Sequence, residues 1–396
     1  MKVKKSISIS CSLLSLILIF YTIAQIAEYT ILNLSSPENF QINLWAFSDL
    51  LINYNSGFVR RGFLGSIFIL LDSDGILYDT VTNFIFYNFL LFVFLIRLNF
   101  YLSKINSLQK FLFDISIFSY FNMAVFGAYY ARKEIFIINL FLIQLIIFRK
   151  IKNKLIFFIT SNIFFIISML THEGIAFFIY YPFTIYLFNK KGLDIKFINI
   201  NRIFSLLLLI FIFIFRGNSE ISNNIIFSLS QKDLDILDPL IGFNAITFLS
   251  SGVLQAGKLT YILIFSGSLI LWTVFLAFIP ITISFITGES IRKTILRNSR
   301  IILSNKEFLL IPILFLAGWD WGRWILVVFY FLLFTTLLSP DLKFLQYKFS
   351  FLLTYLVSSL LTTIPDCCIE QTSTRVSSNY YRIYKAIEII FLQLIN

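Results

Sequence analysis

The stretch that decides the fold runs from Lys133 to Gly192 and reads KEIFIINLFLIQLIIFRKIKNKLIFFITSNIFFIISMLTHEGIAFFIYYPFTIYLFNKKG. It contains three apolar runs, at about 135–148, 155–170 and 175–188, separated by the basic segment RKIKNK and then by THEG. The runs are continuous rather than alternating, and a lipid bilayer admits only helices or closed barrels, so this pattern predicts helices. We therefore expect consecutive membrane helices joined by tight turns.

The rest of the chain repeats this pattern. Of its 396 residues, 58% are hydrophobic and 13% are charged, against about a quarter charged in soluble domains. Without a Gly-, Ser- or Pro-rich linker, the sequence predicts one polytopic all-α integral membrane domain over 1–396, with an interfacial C-terminal segment at 365–396. About eleven transmembrane helices are expected, at 7–27, 79–103, 111–129, 135–148, 155–170, 175–188, 203–215, 259–287, 301–317, 323–338 and 344–363.

Basic residues set the expected topology. The net charge of +11 gathers in clusters between every second pair of apolar runs, as at Lys190, Lys191 and Lys196, which is typical of cytoplasmic loops rather than of nucleic-acid binding. This predicts a cytoplasmic N-terminus, with the first run as a retained signal anchor. It also predicts two long external loops, at about 28–78 and 216–258. Most acidic residues then fall outside, so we expect function on the extracytoplasmic face.

The first external loop contains Asp49 and, further on, the segment NSGFVRRGFLG at 55–65. Its arginines, Arg60 and Arg61, run against the charge rule, and guanidinium groups bind phosphate oxygens in a bidentate manner. The flanking glycines allow a ligand to approach the backbone. One interpretation is a membrane-surface site for a lipid-linked phosphate or diphosphate; the other is a pair of snorkelling arginines.

Two helical turns on the same face also place charges at their tips. One carries Arg132 and Lys133 next to Glu134, which suits either a ligand site or a self-neutralising loop. The other carries His172, the only histidine, next to Glu173. Burial there predicts a raised pKa for the carboxyl, so both groups are acid or base candidates. The bland alternative for a lone histidine is a structural role.

A third turn reads GWDWGRW at 318–324. Asp320 and Arg323 are three residues apart, so on a helix they would share a face and form a pair. Together with Trp324 they suit a sugar-binding platform, or equally a structural ion pair in an interfacial tryptophan belt.

This layout resembles the GT-C superfamily of polyprenyl-linked glycosyltransferases. The elements GFVRRG at 57–62, His172-Glu173 and the Asp320-to-Trp324 segment are also similar to multi-pass proteins of bacterial O-antigen and capsule clusters, including repeat-unit polymerases. The resemblance implies transfer of sugar or oligosaccharide repeats from a polyprenyl-diphosphate carrier during surface-polysaccharide assembly. It further implies a bacterial inner-membrane location and assembly with other polysaccharide-export proteins.

The resemblance also assigns roles. Asp49 matches the first-loop acidic position of GT-C enzymes, and Arg60 and Arg61 match the phosphate-binding role. One of Asp49, His172 or Glu173 is then expected to deprotonate the acceptor hydroxyl. Arg132 and Lys133 would help to hold the diphosphate, and Asp320, Arg323 and Trp324 would orient sugar. At this point the loop has one aspartate instead of an acidic pair, which does not support a divalent cation, and no cofactor or metal is predicted.

Two other classes remain open. A transporter or flippase for lipid-linked oligosaccharide would use the same arginines but needs charged or broken helices near the bilayer midplane. The predicted helix interiors are almost purely apolar, with Asp114 as the main exception. An integral-membrane acyltransferase would need a histidine within reach of a cytoplasmic donor, whereas His172 is predicted outside.

Overall fold

The computed structural model describes most of the chain between Leu44 and Leu338. The described residues are 9–17, 19–20, 23, 44–72, 77–119, 132–230, 245–246, 249, 276, 279–284, 286–317 and 321–338. Regular structure among them is entirely helical. The apolar runs form helices because in this way each segment satisfies its own backbone hydrogen bonds.

Twelve α-helices are numbered here in chain order. They are α1 (Leu44–Leu51), α2 (Phe63–Leu71), α3 (Leu77–Leu102), α4 (Ser107–Ser119), α5 (Lys133–Lys150), α6 (Lys154–Thr171), α7 (Tyr181–Lys191), α8 (Ile195–Ile214), α9 (Ser219–Ser230), α10 (Ile291–Leu303), α11 (Leu310–Ala317) and α12 (Trp321–Thr336). A helical turn Glu173–Ile175 and a π-helical segment Ala176–Tyr180 lead directly into α7, and a 3-10 helix, Lys306–Leu309, leads into α11.

Three helices are long and apolar enough to cross a membrane, namely α3, α6 and α8. The 18 residues of α5 extend about 27 Å at 1.5 Å per residue, which approaches the thickness of a hydrocarbon core. The all-α membrane class is therefore confirmed. The count of eleven spans stays a prediction, because 344–363, the terminal segment, most of 259–287 and parts of 7–27 and 111–129 lie outside the described residues.

The core is organised around α5, which contacts α3, α6 and α12. Phe141 on α5 stacks on Phe331 of α12 with ring centroids 3.8 Å apart. Tyr180 and Phe183, before and within α7, meet Phe331 edge-on. These rings are fully buried, and interlocking aromatic contacts of this kind hold the helices at fixed relative positions.

Charged residues separate to the two ends of the helices. One end, called here the basic end, carries Arg149 and Lys150 at the end of α5, Lys154 at the start of α6 and Lys191 at the end of α7. The opposite end carries the turns that contain Glu134 and Glu173. This alternation follows from antiparallel helices and agrees with the spacing of the basic clusters. The cytoplasmic assignment of the basic end stays a prediction.

Two predicted helix boundaries are wrong. The helix expected at 203–215 begins eight residues earlier, at Ile195. The span expected at 301–317 is broken at Ser304 and Asn305, polar residues whose side chains compete for backbone hydrogen bonds. Asn305 is extended. The break carries buried Glu307 to Arg202 of α8, whose Nε donates to it at 2.7 Å.

The expectation of nearly apolar helix interiors also needs correction. Arg97, inside the predicted span 79–103, pairs with buried Asp114 of α4, and this carboxylate also accepts a hydrogen bond from Ser15. An acidic group within apolar helices needs a partner, and a basic residue from a neighbouring helix supplies it. Asn139 of α5 likewise donates to the side chain of Asn88 at 2.8 Å.

Candidate functional site

Five chain segments converge at the end opposite the basic end. Asp49 lies on α1, Arg60 and Arg61 lie in the loop before α2, and Lys133 begins α5. We define the charged cluster by the residues that meet there. They are Asp49, Arg60, Arg61, Arg132, Lys133, Glu134, His172, Glu173 and Arg323. The structure thus unites the predicted site residues, apart from Trp324, which adjoins Arg323 and packs on Phe315, and Asp320, which lies outside the described residues.

The contact between Arg61 and Glu173 is the centre of the charged cluster. Arg61 Nε donates to the two carboxylate oxygens at 3.2 and 3.0 Å, and its Nη2 donates to Oε1 at 3.1 Å. This is the fork-to-carboxylate geometry that a guanidinium also makes with phosphate. Arg61 keeps 27% of its side-chain exposure, whereas Glu173 keeps 9%.

Arg60 approaches the same carboxylate less closely. Its Nη1 lies 3.7 Å from Oε1 of Glu173, which is an ion pair beyond hydrogen-bond distance. Its Nε is buried and has no hydrogen-bond partner among the described residues. Arg216, which follows α8, adds a further positive charge near Arg60. Arg60 therefore retains a donor available for an anion.

Lys133 is fully buried and its side chain donates a hydrogen bond to the main chain of Arg61. Its Nζ donates to the Arg61 carbonyl oxygen at 3.0 Å and lies 3.5 Å from Oδ1 of Asp49. Arg61 has a φ of +66°, a left-handed conformation that is uncommon for residues other than glycine. Such backbone strain persists only where surrounding contacts impose it. Lys133 and Asp49 supply contacts of this kind, so Lys133 acts here as a positioning group.

Arg323 pairs with a residue that its own sequence segment does not contain. Its Nη1 donates to Oε1 of Glu134 at 2.6 Å, with side-chain exposures of 5% and 3%. The predicted partner, Asp320, is not described. Trp324 is buried, and its ring meets Phe315 edge-on. Its indole Nε1 has no hydrogen-bond partner among the described residues, so it remains a donor for a ligand hydroxyl.

His172 ends α6 in an extended conformation and caps the following turn. Its Nδ1 accepts the main-chain N–H of Ile175 at 3.4 Å. Burial, reinforced by the positive charge of Arg61, lowers the pKa of His172 to about 3. The imidazole is therefore neutral at pH 7, and with Nδ1 accepting, its proton lies on Nε2.

The expected rise in the pKa of the Glu173 carboxyl is wrong in direction. Burial acts to raise this pKa, but the charges of Arg61 and Arg60 outweigh it and hold the pKa below its usual range. The same balance applies to Asp49, where burial is outweighed chiefly by Lys133 and then by Arg61, so the pKa of its carboxyl is also lowered. Both groups are carboxylates at neutral pH.

The charged cluster carries an excess of positive charge. Five side chains are cationic and three are anionic, with neutral His172 adding nothing, so the net charge is +2 over the nine members. Arg61, Arg132 and Arg323 each make further interactions, whereas Arg60 Nε is a buried donor that has no hydrogen-bond partner among the described residues. No group of three or more His, Cys, Asp or Glu side chains suited to a metal occurs in the described part of the chain. The arrangement suits an anionic ligand.

Comparisons with known proteins identify no similar protein. No protein-family model, curated protein or solved structure matches this chain. The function therefore has to be argued from the geometry of the charged cluster.

Sequence reasoning missed the partners more than the residues. Glu134 was treated as part of a self-contained tip, whereas it neutralises Arg323 across 189 positions of sequence. Arg216, the first residue of the predicted external loop 216–258, has no predicted role, although it lies near Arg60. Its external position against the charge rule was the available signal.

The arginine loop depends on a close backbone approach at Gly65 of α2. A Cβ atom there would lie 2.2 Å from the Ile52 carbonyl oxygen. We expect Gly65→Ala to destabilise the protein by about 1–3 kcal/mol, because backbone cannot move aside as a side chain can. Thermal unfolding of the purified protein in detergent measures this. Gly174→Ala is the matched control beside the charged cluster, since its Cβ would meet its nearest neighbours at 3.5 Å. Equal losses of stability in both variants would contradict the prediction.

His172 predicts an acid-sensitive stability. Its folded pKa of about 3 lies below the unfolded value of about 6.5, so the unfolded chain binds more protons between these limits. Stability is therefore lost as the pH falls below 6.5, by about 2 kcal/mol at pH 5. Unfolding temperatures at pH 7 and pH 5 measure the loss. His172→Asn keeps a cap acceptor and should show a smaller drop; an unchanged drop would assign the sensitivity to other groups.

Proposed function

We propose that this protein is a membrane glycosyltransferase of the polysaccharide-polymerase type. It transfers sugar or oligosaccharide repeat units from a polyprenyl-diphosphate carrier on the extracytoplasmic face of a bacterial inner membrane. Its N-terminus lies in the cytoplasm, and about eleven helices cross the bilayer. The GT-C-like layout of the sequence supports this proposal, and the charged cluster supplies its chemistry.

The observation that carries the proposal is that Arg60 and Arg61 both face one carboxylate, that of Glu173. A diphosphate diester is a dianion, so two guanidinium groups match it in charge. Arg61 already uses its fork on a carboxylate, and Arg60 Nε is a buried donor without a partner in the described part of the chain. Both guanidinium groups would hold the diphosphate and stabilise the charge that develops on it as the leaving group.

The remaining members divide into a sugar side and a supporting side. Arg323 and Trp324 lie at the start of α12, where the indole Nε1 donor can meet a sugar hydroxyl and the ring can face its C–H surface. Lys133 supports the main chain of Arg61, and Asp49 faces its guanidinium group, while Arg132 adds positive charge near Asp49.

Deletion of the gene tests this function, with gel analysis of surface polysaccharide as the measurement. Loss of a long-chain ladder to a single repeat, restored by wild type and not by Arg60→Ala, is the expected result. A uniform shift of every band would indicate a side-branch glycosyltransferase instead of a polymerase. An unchanged band pattern with unchanged sugar composition would exclude a role of this protein in surface-glycan assembly.

One observation favours a second candidate, a flippase for lipid-linked oligosaccharide. Arg97 and Asp114 form a charged pair inside the predicted spans 79–103 and 111–129, and charged residues within membrane helices mark the pathways of transporters. Under this alternative, loss of the gene would leave undecorated lipid-linked repeats on the cytoplasmic side. Accumulation of single repeats on the external side supports the polymerase.

A further inference from the structure

We propose that Glu173 occupies the anion position of Arg60 and Arg61 until a substrate diphosphate displaces it, and that it then becomes the catalytic base. This inference rests on the proposed function and names the member of the charged cluster that takes the acceptor proton. It also makes proton transfer conditional on donor binding.

The three base candidates differ in what holds them. His172 is neutral, and its Nδ1 already accepts the Ile175 N–H, so its remaining nitrogen carries a proton. Asp49 is held by Lys133, whose fully buried side chain has no route to a ligand. Glu173 is held by Arg60 and Arg61, the groups that a diphosphate would itself bind. Asp49 also lies 3.8 Å from Nη1 of Arg61 but keeps Lys133, so substrate binding removes both ion-pair partners only for Glu173.

The geometry of the Arg61–Glu173 contact fits displacement. The carboxylate spans Nε and Nη2 of one guanidinium, and two phosphate oxygens accept from the same pair of donors. Arg61 is also the more exposed partner, at 27% against 9%, so a ligand reaches it from outside. Its main chain is fixed by Lys133, which keeps the fork in place while the glutamate side chain rotates away.

Displacement also restores the basicity of Glu173. Arg60, Arg61, His172 and Lys133 are the titratable groups that face this carboxylate. While the two arginines are paired with Glu173, they hold the pKa of its carboxyl low. With their charge neutralised by diphosphate, burial dominates and the pKa rises, as a general base requires.

The resulting step balances. The acceptor hydroxyl oxygen bonds to the anomeric carbon while its proton passes to the Glu173 carboxylate. The bond from that carbon to the diphosphate oxygen breaks, and its electron pair leaves on the polyprenyl diphosphate. Arg60 and Arg61 bind the added negative charge. Release of that product lets Glu173 lose the proton to water and return to the arginines.

The test compares inorganic pyrophosphate binding and transfer in Glu173→Gln. Calorimetry on the full-length protein in nanodiscs should show at least about tenfold tighter pyrophosphate binding than wild type, because the competing carboxylate is gone. Complementation of the deletion strain should show a loss of transfer of about a hundredfold or more. Glu307→Gln is the matched control, since Glu307 is also a buried carboxylate paired with an arginine, at the basic end; it should change neither quantity.

The outcomes separate this inference from the function beneath it. Wild type that binds pyrophosphate, with Glu173→Gln binding equally or more weakly, overturns the displacement and leaves the glycosyltransferase proposal standing. Near-normal transfer by Glu173→Gln overturns the base assignment. No pyrophosphate binding by either protein overturns both proposals. If Glu173→Gln does not fold, Glu173→Asp replaces it, with tighter pyrophosphate binding and partial transfer expected from a shorter carboxylate.

Discussion

Arg61→Ala abolishes long-chain polysaccharide in the complemented deletion strain, with a loss of transfer of at least about a hundredfold. The reason is that Arg61 supplies a two-donor fork at the exposed edge of the charged cluster. Arg61→Lys should not restore transfer, because an ammonium group cannot reproduce the planar bidentate contact. The measurement is the polysaccharide ladder, normalised to the amount of protein folded in the membrane.

Arg202→Ala is the matched control for Arg61. Arg202 is 29% exposed against 27% for Arg61, and it also binds a buried glutamate, but at the basic end. Its loss should leave the ladder length nearly unchanged per folded molecule. A normal ladder from both Arg60→Ala and Arg61→Ala would contradict the phosphate-binding role. An equal loss in Arg202→Ala would show that the assay reports folding.

Arg323→Met lowers the free energy of unfolding by about 3–5 kcal/mol, because Glu134 is left as a buried charge without its ion-pair partner. The two side chains are only 5% and 3% exposed, so water cannot replace the lost contact. Thermal or denaturant unfolding of the detergent-purified protein measures the change. The double variant Arg323→Met/Glu134→Leu should recover most of the stability, since it removes the isolated charge.

Arg297→Met is the comparison at the basic end. Arg297 binds Glu289 but is 21% exposed, against 5% for Arg323, so water can take its place beside the remaining carboxylate and the loss should be smaller. If Arg323→Met proved no more damaging than Arg297→Met, the Glu134 pair would not contribute to folding as its burial indicates. A double variant weaker than Arg323→Met alone would point to a packing role for the two side chains.

The candidate site was predictable in its members and not in its contacts. Arg60, Arg61 and Lys133 were identifiable because basic residues on the predicted external side violate the charge rule. Their partners were not, since Arg61 and Glu173 lie 112 positions apart. The lowered pKa of Glu173 was unpredictable for the same reason. Its burial, which raises the pKa, was predicted, but the two guanidinium groups that lower the pKa come from another loop.

The same distinction between local pattern and long-range contact applies to the fold. The amino-acid sequence by itself determined that α3, α5, α6, α7 and α8 are helices with charged ends, because continuous apolar runs in lipid have no other way to satisfy their backbone. Tertiary structure decided that the segment after α10 brings Glu307 to Arg202, and it decided the pairing of Arg97 with Asp114. It also decided that Glu134 neutralises Arg323. A buried charge takes whichever opposite charge packing brings within reach, and local sequence carries no record of that neighbour.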